Sequence, residues 1–467
     1  PISARFRRWT VSRGRLPAWS GYRTRVLHLH DTALGRVAEL RLRTPGEVSM
    51  YVCGPTVYDE PHLGHGRFTL VWDVVRRYLE WRGMQVRFIS NVTDIDDKII
   101  DRAAREGRSP SEVAEQYEKA WYAAMDALGI RRPDDDPHAT AYVARMVELI
   151  AELLEAGIAY PTSDGVYFNA EQVEGYGLLA LQSLESLRAG VRVEVMEEKR
   201  SPIDFALWKK AKPGEPEWPA PWGAGRPGWH TECVVMALDL LGEDFDLHGG
   251  GIDLAFPHHE NERAQAVALS RPFARRWVHS GHVVAPGGEK MSKSLDNYTS
   301  LTDLLARTDP RAYRLLVLQS HYRSPLEVGP ETIERAERSL ARVDELARRV
   351  GLESGDGAGA TTAAPDPVAM ERFVQLMDDD LATPAVMGLV FDLVGAANAA
   401  LDLGDTATGG PAAAAAFEID AEAARLVAQR DGARAGRDYS RADALRAALE
   451  ALGWTVKDGP HGTTIHR

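Results

Sequence analysis

One supersecondary unit near the start of the chain limits its fold more than any other feature. Residues 48–53 read as a short buried strand, and Gly54-Pro55 turns the chain out of it. Phe68, Val71, Val74, Val75, Tyr78 and Leu79 then recur at helical spacing until Gly83 ends the run. Residues 85–92 give a second strand pattern. Strand, crossover helix and strand make a βαβ unit, which commits the chain to a parallel sheet. Such sheets bind ligands at the carboxyl ends of their strands, where Cys53 and Thr93 fall.

Composition narrows the class. At 467 residues, with 44% apolar and 26% charged residues, the chain can bury a large core and is long enough for about three domains. A net charge of -13 argues against wholesale electrostatic binding to nucleic acid, though not against a local basic patch. Cys53 and Cys233 are the only thiols, which excludes a disulfide scaffold and fits a reducing, cytoplasmic setting. No apolar run approaches the roughly 18 residues of a membrane span, so no membrane partner is expected. Residues 1–26 hold Arg5, Arg7, Arg8, Arg13, Arg15, Arg23 and Arg25 and no acid. This stretch reads as a disordered basic tail or, alternatively, a targeting segment.

Further along, residues 111–160 read as helical, with an apolar face through Val143, Val147, Leu149 and Leu153. Residues 161–220 are turn-rich and fit an insertion, and a second α/β stretch covers 228–284. From about 330 the pattern is helical, broken at 351–366 and 403–416 by Gly, Ala, Thr and Pro. Gly459-Pro460-His461-Gly462 predicts a closing hairpin.

Two motifs carry phosphate chemistry. His62-Leu63-Gly64-His65 opens the first crossover helix, whose N-terminus suits an anion. Both histidines can donate to phosphate oxygens, and Gly64 allows close approach of a base or sugar. Lys290-Met291-Ser292-Lys293-Ser294 follows Gly287-Gly288, a cationic loop able to stabilise charge in phosphoryl displacement. Either motif alone also fits ordinary loop residues; the pair in this order does so far less readily.

Together they resemble the HIGH and KMSKS signatures of class I aminoacyl-tRNA synthetases. Longer stretches resemble the cysteine-specific family within that class: MYVCGPTVYDEPHLGHGR (50–67), NVTDIDDKI (91–99), PIDFALWKKAKPGEPEWPAPWGAGRPGWHTEC (202–233), FDLHGGGIDL (245–254), FPHHENERAQ (256–265) and KMSKSLDN (290–297). The resemblance runs from about residue 27 to the end and implies an α/β fold. It implies a Rossmann-like parallel-sheet catalytic domain in halves 27–135 and 220–289, split by an insertion at 136–219. A KMSKS loop and stem-contact region (290–336), a helical bundle (337–416) and a small C-terminal α/β anticodon-recognition module (417–467) would follow.

Cys53, Cys233, His258 and Glu262 are a plausible zinc set by donor chemistry, His258 and Glu262 being four apart on a helix from about 257. Without a CxxC, spacing alone favours two buried cysteines and a surface pair. The resemblance implies one Zn²⁺ here, contacting the substrate side chain. It further implies Thr93, Trp229 and Asp253 around bound L-cysteine, His62, Gly64, His65 and Lys293 at ATP with Mg²⁺, and His62, His65, Lys290 and Lys293 as catalytic. Each has a plainer reading, as strand threonine, core tryptophan, loop cap or solvated loop. His259 and Glu260 have no role read from sequence.

The implied reaction is cysteine–tRNA ligation by a monomer, with tRNA(Cys) as partner. Arg425 to Arg446, six arginines against Asp431, Asp438 and Asp443, would offer phosphate contacts, although a solvated helix face is the commoner meaning of such a run. Cysteine transfer to a small amine, as in mycothiol synthesis, is the near alternative; the retained residues 420–467 argue for tRNA. A non-catalytic zinc- or tRNA-binding relative is a third reading, opposed by the intact signatures. Asp296, Ile252, His461 and Ile465 depart from the family pattern, and 403–416 is short for it.

Overall fold

The computed structural model describes residues 26–180, 198–288, 300–350, 366–402 and most of 426–466. The basic stretch 1–25, Lys290, Lys293, Asp296 and the breaks at 351–365 and 403–416 lie outside the described residues. The chain divides into two compact units, Pro1–Ala341 with Pro367–Gly388, and Arg342–Asp366 with Leu389–Arg467.

The first unit opens on an antiparallel hairpin, β1 (His28–Asp31) and β2 (Arg36–Glu39). The βαβ unit follows as β3 (Glu47–Val52), α1 (Leu63–Trp81) and β4 (Gln85–Ile89), with β3 and β4 parallel. Alternation along β3 decides the core: Val48, Met50 and Val52 join one buried cluster with Leu70, Trp72 and Leu79 of α1. Tyr51 and Cys53 point the other way into a second cluster. Both faces of the strand are therefore covered, as in parallel sheets generally.

Two expectations need correction. The second strand stops at Ile89 rather than 92, because the chain leaves the ladder there: Val92 bridges to His138 and Thr93 to Thr56. The helical stretch 111–160 is not continuous. After α2 (Asp97–Glu106), α3 (Pro110–Ala127) ends where Gly129 turns left-handed (φ 66°), and Pro133 and Pro137 oppose helix before α4 (Val143–Glu155). Met146 and Ile150 complete the buried face of α4, while Val147 is only half-buried.

β5 (Ala159–Thr162), β6 (Gly165–Phe168), β7 (Phe205–Lys210) and β8 (Gly225–Pro227) then form an antiparallel sheet in that order. The main sheet resumes through α5 (Trp229–Leu241), β9 (Phe245–Gly251), α6 (Glu260–Ala268) and β10 (Ala274–Ser280). Its order is β10-β9-β3-β4, all parallel. β3 thus has β4 on one side and β9 on the other, so the strand order reverses beside Cys53. That is where an open α/β sheet forms its ligand crevice.

Next come β11 (Val283–Val284), α7 (Leu301–Arg307), α8 (Pro310–Leu318), β12 (Leu326–Glu327), α9 (Pro330–Arg349) and α10 (Pro367–Asp378). α11 (Thr383–Asp402) is long, and an 18-residue window of it reaches a mean hydropathy of 1.6. Against the expectation that no stretch reaches membrane length, this is the one such helix among the described residues; valine, leucine and alanine supply its hydropathy, and Asp392 interrupts it. In the second unit α12 (Tyr439–Ala451) precedes the closing hairpin, β13 (Thr455–Gly459) and β14 (Gly462–His466), antiparallel as the sequence predicts. Leu449 and Val456 pack there with Leu426 and Val427.

Candidate active site

Four side chains able to ligate a metal, from three separate elements, meet at the strand-order reversal. Cys53 follows β3, Cys233 lies in the second turn of α5, and His258 and Glu262 flank the start of α6. All four are buried, and their donor atoms lie within 4.8 Å of one another. A tetrahedral zinc ion with arms of about 2.3 Å to sulfur and about 2.0–2.1 Å to nitrogen or oxygen sets donor separations of about 3.3–3.8 Å. The Sγ atoms of Cys53 and Cys233 are 3.6 Å apart, Cys53 Sγ is 3.4 Å from Glu262 Oε1, and Cys233 Sγ is 3.6 Å from His258 Nε2. Only the His258 Nε2–Glu262 Oε1 separation, 2.9 Å, is shorter than a metal would set it.

The electrostatics also fit a cation. Burial raises the Cys53 thiol far above its ordinary range, and the neighbouring Cys233 raises it further. Burial opposes ionisation of Cys233 too, but hydrogen bonding from Cys53 and His258 leaves it the more acidic of the pair. Glu262 pays the same burial cost, yet His248 and His258 hold its carboxyl well below the usual range. Two thiols, a carboxylate and an imidazole in a dry pocket are best balanced by a divalent ion.

Supporting contacts orient these donors. His248 Nε2 lies 2.6 Å from Glu262 Oε2, and its ring stacks on Trp277. His230 Nδ1 lies 2.9 Å from His258 Nδ1; burial keeps His230 neutral, so it can accept the His258 proton and leave Nε2 toward the ligand position. Cys53, His248, His259 and Glu262 also converge within 4.8 Å, with His248 Nε2 on Glu262 Oε2, so a second donor set shares Cys53 and Glu262 with the first. His259 Nδ1 meets His279 Nε2 at 2.8 Å, and His279 Nδ1 meets the Thr32 hydroxyl at 2.7 Å. Glu260 accepts the Leu179 N–H at 2.7 Å and pairs with Arg263. His230, His248, His259 and Glu260 thus have places that sequence reasoning missed; their membership of the stretches 202–233, 245–254 and 256–265 was the only signal.

Trp229 stacks on His258, ring centroids 4.1 Å apart and planes 21° from parallel. Thr93 is buried, and its hydroxyl donates to Glu232, whose carboxyl burial and then Cys233 push well above its usual range. Asp253, just past β9, is exposed, and its carboxylate folds back toward Gly251.

The N-terminus of α1 lies beyond the turn that follows Cys53. His65 N–H donates to His62 Nδ1 (3.2 Å) and His62 N–H to His65 Nδ1 (3.3 Å), a reciprocal cap built from two imidazoles. The rings stack, centroids 3.6 Å apart. Because each Nδ1 accepts, a neutral imidazole here carries its proton on Nε2, ready to donate outward. Burial, with His62 and Lys98 nearby, holds His65 neutral. A Cβ at Gly64 would meet His62 Cε1 at 2.9 Å, so a side chain would disturb the stack. Among the C-terminal arginines, Arg430 is buried and donates to Ala442 O, and Arg446 pairs with Glu450, so these two serve the fold.

The parallel sheet with this helix cap beside its crevice fits the class I aminoacyl-tRNA synthetases, and the family match shows that class. The tRNA synthetases class I (C) catalytic domain family matches residues 40–338, and the DALR domain family matches 372–453. The Mycobacterium tuberculosis methionyl-tRNA synthetase in complex with methionyl-adenylate shares the fold, with TM-score 0.58 and 16% identity over 79% of this chain and 87% of that one. Cysteine–tRNA ligase of Anaeromyxobacter sp. (strain K) is 44% identical over 94% of this chain and 99% of its own length. That of Alkalilimnicola ehrlichii is 43% identical over 95% of this chain and 100% of its own. The chain belongs to the cysteine–tRNA ligases.

Proposed function

We propose that this cysteine–tRNA ligase selects its amino acid with a zinc ion held by Cys53, Cys233, His258 and Glu262. Bound there, zinc supplies a Lewis-acid position that takes a thiolate strongly and a hydroxyl weakly. The convergence of those four side chains beside β3 carries this reading. Trp229, Thr93 and Asp253 surround the cysteine, Trp229 through its stack on His258 and Asp253 as partner for the ammonium.

The cysteine carboxylate attacks the α-phosphorus of ATP, which comes with Mg²⁺, in line; pyrophosphate leaves and cysteinyl-adenylate forms. No protein nucleophile is needed, because positioning and charge stabilisation suffice. His62 and His65 donate Nε2–H to the phosphates at the α1 N-terminus, Gly64 keeps that surface open, and Lys290 and Lys293 stabilise the displaced charge. The terminal ribose hydroxyl of tRNA(Cys) then takes the cysteinyl group. Residues 337–416 and 417–467 bind the tRNA, and the enzyme acts as a cytoplasmic monomer. The DALR match favours a tRNA acceptor over a small amine.

Cysteine-dependent ATP–pyrophosphate exchange, followed by transfer to tRNA, tests the reaction. The ratio of kcat/KM for cysteine over serine tests the metal. Shape alone separates near-isosteres by about 100-fold. A far larger ratio in zinc-replete enzyme, collapsing when zinc is stripped while ATP still binds, is expected. Serine activated nearly as well as cysteine with zinc present would end the metal-selection reading.

A further inference from the structure

We infer that Arg67 is a positioning residue for adenylation, fixing the chain that leads into Lys290 against the helix that carries His62 and His65. Arg67 is 1% exposed, and no carboxylate pairs with it among the described residues. Its guanidinium is surrounded by backbone carbonyls from two segments. Nη1 donates to Gly281 O (2.9 Å) and His282 O (2.6 Å). Nη2 donates to His321 O (3.1 Å), Tyr322 O (3.2 Å) and Ser324 O. Burial lowers its pKa to about 10, which leaves it charged at neutral pH.

A buried charge without a counter-ion is costly and persists only where many dipoles replace water. Here those dipoles belong to the two segments that flank β11 and β12. Gly281 N–H also donates to Tyr322 O, Leu326 N–H to His282 O and Val328 N–H to Val284 O, so the segments are joined as one strip. The strip ends at Gly287-Gly288, immediately before residues 289–299.

The far side of 289–299 is tied to the same helix start. Ser300 bridges His62, and Leu301 N–H donates to Pro61 O at 2.9 Å. Arg67 supplies the matching tie on the near side, one helical turn past His62. A planar fork reaches both segments at once; a lysine ammonium is a single point and cannot.

The inference rests on the assigned role of Lys293 in the proposed function, so the experiment is a double-mutant cycle on the full-length enzyme. Arg67→Lys should lower kcat for pyrophosphate exchange by about tenfold or more while cysteine KM stays within about twofold. In a Lys293→Ala background the same change should cost less than about twofold, because the group it positions is already gone. Additive losses, or a raised cysteine KM with kcat intact, would overturn the inference and leave Arg67 a stabiliser of the fold. If Lys293→Ala alone leaves kcat unchanged, the assignment of that lysine fails first, and the inference with it.

Gly281→Ala gives an independent route should Arg67→Lys not fold. Its Cβ would fall 2.5 Å from Arg323 O and 2.6 Å from Ser324 O, prising the strip apart at carbonyls that Arg67 bonds while leaving the arginine itself in place. The same kcat-selective loss is expected. A folded Gly281→Ala enzyme with unchanged kcat would overturn the inference.

Discussion

Cys233 shows how much one sulfur carries in this pocket. It lies 3.6 Å from both Cys53 Sγ and His258 Nε2, with no water-facing surface to absorb a change. Elemental analysis of the purified protein should find one zinc per chain, and Cys233→Ser should lower both that ratio and kcat/KM for cysteine. Wild-type protein without zinc would refute the ligand assignment. The donor set was legible only because longer motifs surround it, since cysteines 180 positions apart carry no metal spacing of their own. His230 and His248 were legible only as members of the stretches 202–233 and 245–254, with no role of their own. Each acts through one atom of another residue, at 2.9 Å and 2.6 Å, and such pairings exist only once α5, β9 and α6 have packed.

Between elements, a buried polar joint links α1 to α10. Arg82, at the end of α1, and Tyr78, one turn earlier, both bond the buried Asp378 carboxylate that ends α10. Removing one partner of a buried charge pair costs about 3–5 kcal/mol, because the other is left uncompensated. Asp378→Ala should therefore lose about 3–5 kcal/mol in denaturant unfolding, with kcat for adenylation little changed in the folded fraction. A loss under 1 kcal/mol would mean that water or another group satisfies Arg82. Elements with strong periodicity, such as α1, were plain from sequence. The early end of β4 was not, because Val92 and Thr93 resume strand-like composition after Ser90-Asn91, while the N–H groups of Ser90, Val92 and Thr93 bond Asp135, Pro137 and Pro55. The gap between α3 and α4 carries Gly129, Pro133 and Pro137, but the apolar pattern on either side masks it.

At the scale of the whole chain, adenylation and tRNA charging should separate. The residues assigned to cysteine and ATP all precede residue 300, whereas the closing hairpin belongs to the second unit. Deleting 420–467 should spare cysteine-dependent pyrophosphate exchange and damage tRNA charging; equal charging by both forms would favour a small-molecule acceptor. The main sheet has a consequence for how the protein is made. Met50 of β3 pairs with Leu247 of β9, so its two central strands are 197 positions apart (247 minus 50). Non-local parallel pairing closes slowly, and synthesis proceeds at about 5–20 residues per second. During translation β3 therefore waits on the order of ten seconds or more for its neighbour, its edge open to wrong partners. Because Cys53 comes at the start of that gap and Cys233 near its end, the proposed metal pocket cannot form until the later half has emerged, and metal capture would report completed assembly of the newborn chain.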